Sequence, residues 1–436
     1  MTRCLLSITL VAFLCAPLVA QTVPSPSQNK DAANLAFVVY LSRHGVRSPT
    51  GKASQYSIYS AAPWPAWDVK PGYLTAHGYT LMKLFGAYDR AQLASEGLLS
   101  AQGCEAASSV TIYADSDQRT RETGNALSEG LFPGCNARVQ SLPEGTNDAL
   151  FHPVPAKLGP LNSALAAAAI AGRVGGDPNN LTTANDQQLA AFDNILATCG
   201  ASPSAPSSKR TSILTLPASI TTAKGDHLAE LRGPINTAAT LTENILLEYT
   251  QGMDAADVGW GCVDGIKLRS LIGLHTVASD FAQRTPVIAQ AQASNLLDHI
   301  ERSLEQAATC RAVPGAVSRP ADRALFLVGH DTNLSNIAGL LNLTWIADDR
   351  RDDTPPGSAL VFELWKDPTS GRYSVRVYFT AQTLEQMRAA ATLSPANPPS
   401  RVPVFLPGCS RQDLSCSWTD FSQTVHQAID PSYVQK

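Results

Sequence analysis

Leu41-Ser42-Arg43-His44-Gly45-Val46-Arg47-Ser48-Pro49-Thr50 follows an apolar run, Ala36-Phe37-Val38-Val39-Tyr40, that reads as a buried strand. A histidine between two arginines at the end of such a strand makes a specific demand. Like charges repel, so Arg43 and Arg47 require an anion between them, and planar guanidinium groups bind phosphate oxygens in pairs. A surface loop with solvated arginines is the alternative that this stretch alone leaves open.

Two further apolar runs shift the balance. Val110-Thr111-Ile112-Tyr113-Ala114 runs into Asp115-Ser116-Asp117-Gln118-Arg119-Thr120-Arg121, and Ala324-Leu325-Phe326-Leu327-Val328 runs into Gly329-His330-Asp331-Thr332-Asn333. Arg119 and Arg121 at a helix start oppose the helix dipole, so each needs a bound anion or a carboxylate such as Asp115 or Asp117. In an open α/β sheet, ligands sit outside the carboxyl ends of the strands, near a topological switch point. Three strand ends supplying two histidines, three arginines and an acid fit one such crevice.

The remaining sequence sets bounds. A chain of 436 residues suggests two domains or one domain with a large insertion. Its net charge of −4 offers no global basic field for nucleic acid, so an anion must be held by a local cluster. Residues 1–20 read as a secretory leader, with Arg3, an apolar stretch too short and broken to span a bilayer, and small Ala20 at the end. Residues 21–34 read as a disordered linker. Export to a periplasmic or external compartment follows, with no membrane association once the leader is removed. Seven cysteines then remain, and an oxidising compartment should pair most of them. Cys104 with Cys135 and Cys409 with Cys416 are the local choices, which leaves Cys199, Cys262 and Cys310 with one thiol over. No CxxC spacing or histidine partner suggests zinc.

Residues 35–150 and 256–436 carry strand–helix texture, including a hairpin from Ala359–Trp365 to Tyr373–Phe379 across Asp367-Pro368-Thr369-Ser370-Gly371. Residues 151–255 read as a mainly helical insertion whose last helix starts at Gly233-Pro234 and stops at Gly252. Ile235, Ala238, Thr242, Ile245 and Tyr249 make its buried stripe, and Glu243 beside them suits a salt bridge or a carboxylate facing a cleft. His77 reads as a helix-start cap or surface group, and His275, on a helix through Leu268 to Ala282, as a core histidine bonded to backbone.

Phosphoryl transfer needs dispersed positive charge around three oxygens, an in-line nucleophile and a proton for the leaving oxygen. Arg43, Arg47 and Arg119 can supply the charge without a metal or cofactor. His44 can attack phosphorus and carry the phosphoryl group, Asp331 can protonate the leaving alcohol and then assist water, and His330 can donate to the phosphate. Two histidines among three arginines make a poor cation site. No GxSxG elbow, P-loop or GxGxxG appears.

Arg43-His44-Gly45-Val46-Arg47-Ser48-Pro49 matches the R-H-G-x-R-x-P signature of the histidine acid phosphatases. At roughly 5% usage per residue type, its five fixed residues arise by chance in such a chain on the order of once in ten thousand. His330-Asp331 is similar to that family's second catalytic element. Leu74 to Gly78, Asp115 to Thr120, Gln251 to Met253, Val258 to Gly261, Asp353 to Gly357 and Gln382 to Leu384 resemble its bacterial phytase branch. The resemblance implies a phosphoglycerate-mutase-like α/β core sheet with flanking helices and a mainly helical inserted domain. It implies an exported, disulfide-bonded, metal-independent acid phosphatase acting on a small phosphorylated substrate, with a monomer as the expected state. His44 is then the nucleophile and Asp331 the proton donor, while Arg43, Arg47, Thr50, Arg119, His330 and Thr332 hold the phosphate. Glu243 faces the substrate cleft. The branch pattern has a lysine directly after the signature's threonine, whereas Gly51 here precedes Lys52. Phytate hydrolysis is the leading reading; a glucose-1-phosphatase or other narrow sugar-phosphate phosphatase is the alternative. A silent phosphate-binding relative is a third reading, disfavoured because both His44 and Asp331 are kept.

Overall fold

The computed structural model describes residues 33–201 and 210–435. The leader at 1–20 and nearly all of the linker lie outside these residues, and Asn34 already opens the first strand. Strands in chain order are β1 (Asn34–Arg43), β2 (Val110–Ala114), β3 (Val139–Gln140), β4 (Ser219–Thr222), β5 (Ala229–Arg232) and β6 (Ala324–Gly329). Then come β7 (Ile346–Ala347), β8 (Arg350–Arg351), β9 (Ala359–Lys366), β10 (Tyr373–Ala381), β11 (Ser400–Val404) and β12 (Cys416–Ser417).

The main sheet runs β11-β10-β9-β1-β6-β2-β3, with β12 added to β10. Strands β1, β6, β2 and β3 are parallel, and the expected β9–β10 hairpin joins antiparallel to β1. Alternation along β1 explains why both faces are covered. Phe37, Val39 and Leu41 enter one apolar cluster with the Pro286–Thr309 and Asp331–Leu340 helices, whereas Val38 and Tyr40 enter another with the Ala76–Ser95 and Gln118–Leu131 helices. A strand buried on both faces reads as an unbroken apolar run, which is why β1 and β6 are visible in the sequence and the short β3, β7, β8, β11 and β12 are not.

Register decides where the functional residues fall. Arg43 pairs with Gly329, and Ala114 pairs with Val328. His44 N–H donates to the Gly329 carbonyl at 2.9 Å and Asp115 N–H to the Val328 carbonyl at 2.9 Å. The residues after three parallel strands, His44, His330 and Asp115, therefore stand in one row.

Residues 151–255 carry the helices Ser163–Arg173, Asn179–Ala184, Asp186–Thr198 and Pro234–Thr250, with the small β4–β5 hairpin between them. The whole expected stripe of the Pro234–Thr250 helix is buried. Its apolar cluster continues into residues 258–278. The single helix expected from Leu268 to Ala282 is two, Gly265–Leu271 and Gly273–Ala282, meeting at Ile272. Cys104–Cys135 and Cys409–Cys416 pair as expected, Cys199 takes Cys262, and among the described residues exposed Cys310 is the free thiol.

Candidate active site

His44 is 2% exposed, and its Nδ1 lies 2.9 Å from the carbonyl of Gly45. A carbonyl only accepts, so Nδ1 carries the proton and Nε2 keeps its lone pair. Burial, then the guanidinium groups of Arg119, Arg43 and Arg47, hold the imidazole well below its ordinary value. It stays neutral, and so nucleophilic, in mildly acidic solution.

Three arginines surround it. Arg43 is fully buried at the end of β1 and donates to the Thr354 carbonyl at 2.6 Å and to Glu243. Arg47 donates to the Ser48 carbonyl at 3.0 Å and to Glu243 at 3.2 Å. Arg119, in the first turn of the Gln118–Leu131 helix, pairs with Asp117 at 2.6 Å and reaches His330 Nδ1 at 3.4 Å. The Nε–H groups of all three are buried with no protein partner among the described residues. Buried donors without acceptors cost free energy, and phosphoryl oxygens are acceptors.

His330 caps the Asp331–Leu340 helix and places Nε2 2.7 Å from Asp115 Oδ2. His152 reaches the same oxygen at 3.0 Å. These bonds outweigh burial and hold the Asp115 carboxyl well below the usual range. Asp331, in the first turn of that helix, lies 3.7 Å from Arg43 and 3.9 Å from His275 Nε2. Burial pushes its carboxyl up, but Arg43, His275 and Arg47 push harder and hold it low. An anion bound to those arginines would offset that pull and raise the carboxyl toward a range where it can donate a proton. Thr332 N–H donates to Asp331 Oδ1 at 2.9 Å, so Thr332 orients that carboxylate. Thr50 is exposed; a Cβ on Gly72 would lie 3.6 Å from Thr50 Cγ2 and 3.7 Å from an Arg119 nitrogen, which places Thr50 at the rim near Arg119.

Of the two readings of Glu243, the salt bridge is present, to both Arg43 and Arg47. Arg119 takes Asp117, whereas Arg121 turns away to Glu144 at 3.3 Å. The reading of His275 as a backbone-bonded core histidine is corrected, because its Nε2 faces Asp331 and it clusters with Glu243. His77 binds the Met387 carbonyl at 2.8 Å and belongs to packing, while Thr75 caps its helix. His152 had no motif to announce it; it sits in a turn at residues 148–157, brought to Asp115 by tertiary folding alone. Asp115, Asp117, His152 and His330 lie close enough to hold a cation, as do Glu243, His275 and Asp331. Asp115 is already engaged by both histidines, and the neighbouring arginines repel positive charge.

The parallel strands of the sheet line up a buried neutral histidine, three arginines and an aspartate at their ends, a set suited to phosphoryl transfer. The chain belongs to the histidine phosphatase superfamily (branch 2), whose model matches residues 34–380. It is a phosphoric monoester hydrolase. Phytase AppA of Escherichia coli (strain K12) is 34% identical over 93% of this chain and 94% of its own length. Glucose-1-phosphatase of Providencia rettgeri is 27% identical over 98% and 99%. The structure of Hafnia alvei phytase in complex with tartrate superposes with a TM-score of 0.84 at 33% identity, covering 93% of this chain and 99% of that one.

Proposed function

We propose that this enzyme is an exported acid phosphatase that hydrolyses phytate (myo-inositol hexakisphosphate) through a phosphohistidine at His44. The observation that carries the reading is His44 Nε2, held deprotonated by the Gly45 carbonyl and ringed by three guanidinium groups whose Nε–H groups are buried without a partner among the described residues. Arg43, Arg47 and Arg119, with Thr50 at the rim, take the phosphoryl oxygens; His330, oriented by Asp115, accepts from Arg119 and steadies it. His44 attacks phosphorus, and the bond to the leaving oxygen breaks as Asp331 gives that oxygen its proton. Asp331, now ionised, takes a proton from water, which displaces phosphate from His44.

Residues 151–255 form the proposed substrate cap, which brings Glu243 over the arginines. The higher identity to phytase AppA than to the glucose-1-phosphatase supports phytate over a narrow sugar phosphate as the substrate. Three disulfides fit an oxidising, periplasmic or external compartment. A monomer is the proposed working unit, because one chain supplies every arm of the site. Among the described residues, no helix is long and apolar enough to cross a membrane.

The test is phosphate release by the mature protein at about pH 4.5 with EDTA present. Phytate, glucose-1-phosphate and p-nitrophenyl phosphate run side by side, with His44→Ala as control. Release from phytate that His44→Ala lowers by at least about a thousandfold is expected. Turnover of glucose-1-phosphate alone would replace the substrate, and wild-type rates in the variant would end the covalent role.

A further inference from the structure

Asp115 accepts on a single oxygen, Oδ2, from two imidazoles: His330 Nε2 at 2.7 Å and His152 Nε2 at 3.0 Å. Burial pushes its carboxyl up, but the bonds from His152 and His330 hold it well below the usual range, so Asp115 is ionised and both nitrogens donate. An ionised aspartate bonded to an imidazole favours the imidazolium. For His330 in acidic solution, the added proton would sit on Nδ1, 3.4 Å from an Arg119 nitrogen. Two donors would then face each other, and Arg119 would lose its acceptor.

His152 is better placed to carry that proton. Its side chain is 24% exposed against 6% for His330, so its charged form keeps part of its hydration. Against burial, Asp115, Asp226 and Asp117 hold its imidazole above the ordinary value. For His330, burial together with Arg119 and His152 outweighs Asp115 and holds the imidazole below it. Asp117 lies 3.8 Å from His330 Nε2, neutral His44 has its ring centroid 5.6 Å away, and Asp331 follows in the chain. The His152 and His330 rings, with centroids 5.0 Å apart, therefore compete for one extra proton, and His152 wins it.

The backbone holds this pair in place. Asn333 donates to the Phe151 carbonyl at 2.9 Å and accepts from His330 N–H at 2.9 Å, so one side chain ties the two segments together. Asp148 clamps the turn that carries His152: its carboxylate takes Leu150 N–H at 2.9 Å and the Tyr113 hydroxyl at 2.7 Å, and its carbonyl takes His152 N–H at 2.7 Å.

We propose that His152 is a positioning residue: it holds the imidazolium beside Asp115, so that His330 stays neutral and its Nδ1 accepts from Arg119 while the enzyme works in acid. The inference rests on the acid phosphatase reading of the adjoining site. His152 touches neither His44 nor the space for phosphate in this account; it acts through Asp115, His330 and Arg119 in turn.

NMR of ring nitrogens in histidine-labelled protein reads the two sites directly, with single variants to assign them. At about pH 4.5 the wild type should show His152 as imidazolium and His330 as the neutral Nε2–H tautomer. His152→Gln keeps a donor for Asp115 and removes the charge. It should raise the His330 midpoint, and the acid limb of kcat/KM for p-nitrophenyl phosphate, by about one pH unit each. His152→Lys, which returns a positive donor, should bring both back. The assignment is overturned by a His330 that is already an imidazolium in the wild type, by a midpoint or acid limb that His152→Gln leaves in place, or by a shift that His152→Lys does not reverse. Failure of the wild type to hydrolyse any phosphomonoester would instead sink the phosphatase reading, while the ring resonances would still report on His152.

Discussion

At the residue scale, the proposed acid and base roles depend on charge balance around one phosphate-sized space. Asp331 is held low by Arg43, His275 and Arg47 in spite of its burial, so it can donate only when a bound anion offsets the arginines. Its donating form is lost as pH rises through its value in the complex, so phytate turnover should fall along an alkaline limb. p-Nitrophenolate leaves without a proton, and its rate should fall less over the same range. Asp331→Asn should lower kcat/KM, which reports the step up to leaving-group departure, by roughly 10²–10⁴-fold for phytate and far less for p-nitrophenyl phosphate. Equal losses would remove Asp331 from the donor role. Glu243 neutralises Arg43 and Arg47, the groups that a phosphoryl anion would use. Glu243→Ala should therefore tighten inhibition by orthophosphate about tenfold and alter the phytate to p-nitrophenyl phosphate preference. An unchanged inhibition constant and preference would reduce Glu243 to a structural ion pair.

At the scale of elements, the site is precise because its carriers are packed without slack. The Ala76–Ser95 and Gln118–Leu131 helices, the second of which carries Arg119, approach backbone to backbone. A Cβ on Gly130 would collide with the Lys83 carbonyl and lie 2.8 Å from Ala87 N. Neither helix can yield cheaply, since both pack on the same face of the sheet. Gly130→Ala should destabilise the protein by about 1–3 kcal/mol, read as a lower urea midpoint. It should also loosen phosphate binding through Arg119; a variant with wild-type midpoint would show that the helix crossing has room.

For the whole molecule, two features set stability. The Cys199–Cys262 bridge has a sequence separation of 63 and ties the helical segment to the turn that holds Trp260. Constraining an unfolded loop of that length is worth about 4 kcal/mol. Cys262→Ser, which also frees Cys199, should lower the melting temperature in non-reducing buffer, and reductant should lower that of the wild type. Buried Asp89 and Glu248 are each pushed up to about 8 by burial, Asp89 against the pull of Arg401 and Glu248 against its bond from Gly259 N–H. An acid whose folded value is raised stabilises fully below its unfolded value and loses that contribution as pH rises toward the folded one. Asp89→Asn with Glu248→Gln should therefore gain stability relative to the wild type between about pH 4 and 8. A stability difference that does not change over that range would show that these carboxyls titrate normally.

The sequence by itself determined the three apolar strands, the polar clusters at their ends and the family that those clusters mark. Those signals are local: an unbroken β-branched and aromatic run reads as a doubly buried strand, and the signature residues are contiguous. The hairpin from β9 to β10 and the Pro234–Thr250 helix were legible for the same reason. Tertiary structure alone decided that β6 inserts between β1 and β2, which puts His44, His330 and Asp115 in one row. It decided that Cys199 finds Cys262, that His275 turns to Asp331, and that His152 shares Asp115 with His330. Such pairings join segments tens to hundreds of residues apart, and no periodicity or spacing along the chain records them. Gly51 shows the same division. The sequence revealed it as an insertion, and the fold shows its N–H bonded to the Tyr56 hydroxyl at 2.8 Å.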